Sequence, residues 1–289
     1  MALAEARKII IRRVCHVVAW PNIWNQWLQT ASFTVLSGRT MHVIFRLLIL
    51  LPAGVMAWAG AAGARSPLPD QDDSLRIKTP MVFYLAKGEP DACGPGCSKW
   101  IAAEGEFDQY TGTLLHSFLV RQHAEHLPIY FDSPGGLLRP AMLVGRLLRT
   151  RGMTAGVSRT NPDACAGADD RTCMALKQSG ETLPAKLDSA ASCSGACIYA
   201  LIGAKVRQVP PGAVLGVRSG RLARGLANGG LMPIAQSPEL EAARQELRRT
   251  YVRHMDVDPR LVDIESKVPF GDVHSLSREE IIEFGIDSR

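Results

Sequence analysis

A short apolar segment that runs straight into a glycine pair constrains the fold of this chain more than any other feature. Pro128-Ile-Tyr-Phe131 has the length and character of a buried strand, and Asp132-Ser-Pro-Gly135-Gly136 turns it into a helical pattern. There Ala141, Val144, Leu147 and Leu148 share one face, and Met153–Val157 returns as a strand. Strand, helix and strand in this order give parallel neighbours in one sheet. The same cadence comes earlier. Met81–Ala86 and Trp100–Glu106 read as strands, and from Thr111 the residues Leu114, Leu115, Phe118 and Leu119 recur at helical spacing. The expected fold class is α/β, layered, with parallel strands.

Residues 159–190 interrupt the pattern. Asn161-Pro-Asp, Asp169-Asp170 and Glu181-Thr-Leu-Pro184 sustain no period, so an inserted loop is expected here. An apolar helix at Ala196–Ile202 follows, then a strand pair at Val206–Val209 and Val214–Val217. The Gly-rich stretch Gly220–Gly230 reads as mobile and has no Walker spacing. The last third reads as helical. Pro238–His254 carries a stripe of Leu240, Ala243, Leu247 and Tyr251, expected as core or as a self-association face, and Pro259–Glu265 is a short helix. Ser277–Glu283 is another, with Ser277 and Glu280 at capping-box spacing.

Charge divides the chain. Residues 1–64 hold six Lys/Arg and one Glu, a net of +5, whereas residues 65–289 hold 27 basic and 27 acidic residues. The whole-chain excess of +5 therefore belongs to the leader, which argues against a nucleic-acid partner. Leu47–Ala64 is an apolar run of 18 residues that ends in Ala62-Gly63-Ala64, the small-residue pattern of a signal-peptidase site. Met41 would begin a compact leader, so residues 41–64 are read as the signal peptide, 65–79 as a linker and 80–289 as the domain. The expected location is periplasmic. The alternative is a membrane anchor through an uncleaved leader.

With Cys15 in the leader, the exported part keeps Cys93, Cys97, Cys165, Cys173, Cys193 and Cys197, an even set that suggests disulfides. Sequence does not choose among the connectivities six cysteines allow. Neighbour pairs are the simplest: Cys93 with Cys97, Cys165 with Cys173 and Cys193 with Cys197. The third is strained on a regular helix, where residues four apart seldom meet disulfide geometry. A zinc site lacks histidines at finger-like spacing, so no metal and no cofactor is expected.

Several segments appear together in order: Trp100-Ile-Ala-Ala-Glu-Gly-Glu106, Phe131-Asp-Ser-Pro-Gly-Gly136, Gly145-Arg-Leu-Leu-Arg149, and the Cys193-Ser-Gly-Ala-Cys197 turn with Arg207. Gly216-Val217 and Leu276-Ser-Arg-Glu-Glu280 with Phe284-Gly-Ile286 follow. In this the chain resembles the exported, periplasmic-protein-like branch of the Clp-protease/crotonase superfamily, over residues 93–289. The resemblance implies a crotonase-like core of repeated β-β-α units with a helical C-terminal region. In peptidase relatives it implies a serine nucleophile, a histidine base and a Gly-Gly turn whose N–H groups hold the oxyanion. Gly135 and Gly136 match that turn, and two fixed donors suit a developing oxyanion.

The dyad positions depart from the pattern. The nucleophile position falls on Gly195, and the base position after Gly216-Val217 falls on Arg218. A permanently protonated guanidinium accepts no proton. Ser194 and Ser192 stand nearby, but one residue at a helix start swings a side chain by about 100°. Substitute bases would come from His116, His123, His126, His254 or His274, the first three within about 80° on one helical face. Asp132 is expected to cap the turn that follows it. Three functions follow: a degenerate, non-catalytic module that binds a peptide or protein, a serine hydrolase using Ser194, and a crotonase-type acyl-thioester enzyme. Self-association is also expected, since crotonase-like relatives assemble.

Overall fold

In the computed structural model, which describes residues 77–220, 223–225, 231–235 and 237–288, the strand–helix cadence becomes a seven-stranded and a three-stranded sheet, with a separate two-stranded pair. The expected signal peptide, its expected cleavage point after Ala64 and most of the expected linker lie outside the described residues. β1 (Val82–Lys87) turns back antiparallel into β2 (Lys99–Glu104). From β2 the sheet continues in parallel through β3 (Ile129–Asp132) and β4 (Thr154–Val157). α1 (Thr111–Gln122) and α2 (Leu138–Arg151) make the crossovers.

The pleat divides the sheet's side chains. Leu85, Ile101, Ala103, Ile129, Phe131, Ala155 and Val157 join the core under the helices, with Leu115, Leu119, Val144 and Leu148. Tyr84, Ala86, Trp100, Ala102 and Tyr130 point to the opposite face and form a second cluster with Leu183 and Ala185. Both faces are covered, as parallel strands require.

The expected inserted loop is instead ordered. β5 (Arg159–Pro162) leads through a 3₁₀ turn (Asp163–Cys165) to α3 (Asp170–Lys177) and then β6 (Thr182–Asp188). β6 pairs parallel with β1 and antiparallel with β5, so the segment adds two strands to the sheet edge. The signal was present as the alternation of Leu183 and Ala185 with exposed Pro184 and Lys186, but Pro184 argued against a strand.

The second sheet begins at β7 (Ser192–Ser194), which leads into α4 (Ala196–Leu201), a helix buried at all six residues. Here another expectation changes. β8 (Val206–Gln208) and β9 (Val214–Val217) do not pair: β8 extends the large sheet beside β4, and β9 pairs with β7. β10 (Ala223–Gly225), in the Gly-rich stretch, pairs antiparallel with β11 (Leu231–Pro233) just beyond it, while residues 221–222 and 226–230 lie outside the described residues. α5 (Pro238–His254), α6 (Arg260–Lys267), β12 (His274–Ser275) and α7 (Arg278–Glu283) complete the chain, and β12 joins β9.

The capping box at α7 forms on both sides, Glu280 N–H to Ser277 Oγ at 3.2 Å and Ser277 N–H to Glu280 Oε2 at 2.7 Å. Of the α5 stripe only Tyr251 reaches the core, and Ala243 is exposed. Leu240 and Leu247 are exposed, and α5 buries Arg248, Tyr251 and Val252. α1 ends at Gln122 with His123 in the left-handed conformation, so His116, His123 and His126 do not share a helical face.

All three neighbour disulfides form, Cys93–Cys97, Cys165–Cys173 and Cys193–Cys197. The third escapes the helical constraint because Cys193 lies on β7 and only Cys197 lies on α4, which brings the Cα atoms to 5.2 Å.

Candidate functional site

β3 ends in Ser133-Pro134-Gly135-Gly136, and backbone bonds stitch this end to β7. Ser133 N–H donates to Ser192 O at 2.7 Å, and Ser194 N–H donates to Ser133 O at 3.0 Å. Both glycines hold φ near +118°, a conformation L side chains avoid. Space excludes a side chain as well. A Cβ at Gly136 would sit 2.4 Å from Phe107 O, and one at Gly135 would sit 2.8 Å from Ser194 O and 3.5 Å from Ala196 N. The Gly-Gly turn therefore lies directly against the β7–α4 junction. Its two N–H groups differ: that of Gly135 donates to Ser133 Oγ at 3.2 Å, while that of Gly136 makes no hydrogen bond within the protein among the described residues.

Gly195 forms the corner between β7 and α4 with φ +53° and ψ −115°, outside the regions open to ordinary L residues. Its N–H donates to Gly216 O at 2.7 Å. A Cβ at Gly195 would point at Arg218, 3.2 Å from its Cγ and 3.6 Å from its Nε. The two positions where the resemblance expects a nucleophile and a base thus face each other, with Arg218 exposed to solvent. The Ala196 N–H opens α4 and has no intrahelical acceptor. Sequence reading placed the start of this helix at Ala196 but did not name the amide it leaves over.

Ser194 looks elsewhere. It is 8% exposed, and its Oγ packs on Gly216, 2.7 Å from where a Cβ there would be. Ser194, Gly216 and Ser275 form one cross-strand row, and Val217 with His274 forms the next. The pleat therefore turns His274 toward the opposite face from Ser194. His274 lies 3.6 Å from Glu280 instead. His116, His123, His126 and His254 are exposed, and no histidine hydrogen-bonds to Ser194 among the described residues.

Asp132 does not cap its own turn; Ser133 Oγ does that through Gly135 N–H. The Asp132 carboxylate reaches sideways to take Ser192 N–H at 3.0 Å and pairs with Arg159 Nε at 2.7 Å. The reason is register, since the Ser133–Cys193 bridge carries the first amide of β7 to this carboxylate.

Behind the corner, α4 is held by a buried polar chain. Tyr251 OH donates to Tyr199 O at 2.7 Å, and Tyr199 OH donates to Glu265 Oε2 at 2.5 Å. Arg248, 3% exposed, bonds Glu241 at 2.9 Å and lies 3.8 Å from Glu265. Burial raises the Glu265 carboxyl above its ordinary range, against the opposing pull of Arg248 and the Tyr199 hydroxyl.

No family model matches the chain, and no curated protein matches it. Among solved structures it is similar to the membrane-bound stomatin-specific protease 1510-N, in a mutant form, at 15% identity and a TM-score of 0.40, covering 64% of this chain and 75% of that one. A second mutant of the same protease, in complex with a substrate peptide, is similar at 18% identity and a TM-score of 0.38, over 64% and 71% of the two chains. ClpP1 from Listeria monocytogenes is similar at 11% identity and a TM-score of 0.38, over 63% of this chain and 85% of its own.

Proposed function

We propose that this chain is an exported, catalytically degenerate member of the Clp-protease/crotonase superfamily that binds peptide beside the Gly135–Gly136 turn without cleaving it. One observation carries the reading: a Cβ built on Gly195 would point at Arg218 from 3.2 Å. A nucleophile and its base need this mutual placement, yet one position has no side chain and the other has no lone pair to accept a proton. The remaining donors suit a carbonyl. Gly135 N–H is taken by Ser133 Oγ, so the donors left beside the turn are the Gly136 N–H and the Ala196 N–H at the start of α4. In a working acyl-transfer enzyme each such donor is worth roughly 3–4 kcal/mol at the transition state. Here they would hold a peptide carbonyl in its ground state, which binds but does not react.

The direct test is a fluorophosphonate label followed by mapping of the adduct. No adduct is expected. Stoichiometric labelling of Ser194 that disappears in Ser194→Ala would overturn the reading in favour of a live hydrolase. Restoration gives a second test. Gly195→Ser with Arg218→His should raise p-nitrophenyl ester hydrolysis by about a hundredfold or more, while either change alone stays near background. A serine at this corner carries strain of roughly 1–3 kcal/mol, as nucleophiles on strand-to-helix elbows do.

Export belongs to the same proposal and rests on Ala62-Gly63-Ala64 after the apolar run. Amino-terminal sequencing should find Arg65 first; a chain that keeps Met1 or Met41 and stays in the membrane contradicts it. Self-association is proposed from the exposed Leu240 and Leu247 on α5. Light scattering that finds only monomer at tens of micromolar contradicts it.

A further inference from the structure

The inserted segment is fastened to the core by two ion pairs of the same polarity. Arg159 and Lys177, both from the insertion, meet Asp132 and Glu104, both at the ends of core strands. Tyr84 OH also donates to Glu104 Oε1 at 2.5 Å, and Lys177 Nζ stands 5.3 Å from the Tyr84 ring centre. Between the insertion and the strand ends lies a cleft of about 550 Å³, within the size range of ligand sites. It opens where β2 and β3 end, the edge at which open α/β sheets bind ligands.

We infer that this cleft is a subsite for one large uncharged side chain of a peptide bound along the Gly135–Gly136 turn. The inference rests on the peptide-binding reading above. Pro80, Val82, Pro134, Pro162, Ala166 and Met174 supply an apolar part of its wall, beside the uncharged polar Thr79, Thr160 and Asn161 and the two ion pairs. Met174 is 39% exposed, a large apolar side chain that the fold leaves open toward the cleft. The charges at the cleft already satisfy one another. A charged ligand side chain would have to break a pair or remain unpaired, and either is costly in a partly desolvated site. An aromatic or long aliphatic side chain pays no such penalty.

The cleft shares its rim with the segment that leads into the corner. Pro134 lines it and immediately precedes Gly135. Asp132 also lines it while holding Ser192 of β7 at 3.0 Å. The Cys165–Cys173 disulfide ties the 3₁₀ turn to α3, so the wall that carries Ala166 and Met174 is fixed to itself by a covalent bond.

The test uses isotope-labelled protein recovered after export of the full chain, titrated with acetyl-Ala-Phe-Ala-amide and its Glu and Lys counterparts. The Phe peptide should shift the amide signals of Val82, Gly105, Ala166 and Met174 together with those of Gly136 and Ala196. It should bind at least about ten-fold tighter than either charged peptide, a difference of about 1.4 kcal/mol. Met174→Glu should weaken the Phe peptide by about ten-fold, and Ala166→Trp should do the same by filling the space; both positions are exposed, so the unfolding midpoint should hold. Shifts at Gly136 and Ala196 with the cleft signals unmoved would overturn the inference and leave the peptide reading standing. Equal affinity for the three peptides, or full affinity in both variants, would also overturn it. No shift at either place would overturn both.

Discussion

Arg207→Met should loosen the carboxyl end of the domain at a large cost in stability. Arg207 is 5% exposed and has no carboxylate partner within ion-pair distance among the described residues. Its guanidinium instead donates to three carbonyls at close range: Ile286 O at 3.0 Å, Ala204 O at 2.8 Å and Gly285 O at 2.8 Å. Met255 O lies farther, at 3.4 Å. Burial lowers the Arg207 pKa, which marks the desolvation that these carbonyls offset. Methionine keeps most of the stem volume and removes every donor. Each charge-assisted bond is worth about 1.5–3 kcal/mol, and relief of the buried charge returns part of that, so a net loss of about 3–5 kcal/mol is expected. For a domain of this size the loss corresponds to roughly 10 °C in midpoint. Urea unfolding followed by circular dichroism measures it, and carboxypeptidase digestion of residues 285–288 reports the local release. Arg207→Lys should recover only a part, because one ammonium cannot span three diverging acceptors. A loss under about 1 kcal/mol in Arg207→Met, with an unchanged denaturant slope, would refute the argument that these bonds clamp the terminus.

Gly145→Ala should cost about 3 kcal/mol, since a Cβ there would sit 2.0 Å from Tyr251 Oη and 2.6 Å from Tyr199 O. Adding Tyr251→Phe should return part of this loss in a double-mutant cycle, and strict additivity would count against the clash. Titration with a phosphine reductant should open Cys165–Cys173 before Cys193–Cys197, because the latter cysteines are fully buried and the former are partly exposed; mass spectrometry after alkylation gives the order. Removing Cys193–Cys197 by paired serine substitutions should cost about 2 kcal/mol in urea unfolding, from the entropy of its small ring. Glu265 carries a raised pKa in the folded state through burial, so the fold binds its proton more tightly than the unfolded chain does. Its contribution should therefore fall as pH rises from the ordinary carboxylate range through the raised value, and Glu265→Gln should lack this decline in unfolding curves across that window.

The sequence alone determined the order of the main elements. Val144 and Leu148 on α2, the short strand Ile129–Asp132 and the Ser277–Glu280 cap are written in local spacing, where period and capping chemistry act over a few residues. It also determined that positions 195 and 218 carry a glycine and an arginine, since these are identities rather than arrangements; that they face each other came only with the fold. Other features required the fold. The strand β6 was hidden by Pro184 and becomes one only by pairing with β1 on one side and β5 on the other. The direction of Ser194 depends on a corner whose φ of +53° no local pattern announces. Asp132 could be taken for a turn cap until β7 was brought beside it, 60 residues later in the chain. In each case the deciding partner lies far away in sequence. Local chemistry chooses helix or strand, but which atoms meet across the sheet is set by register and by the space left between packed elements.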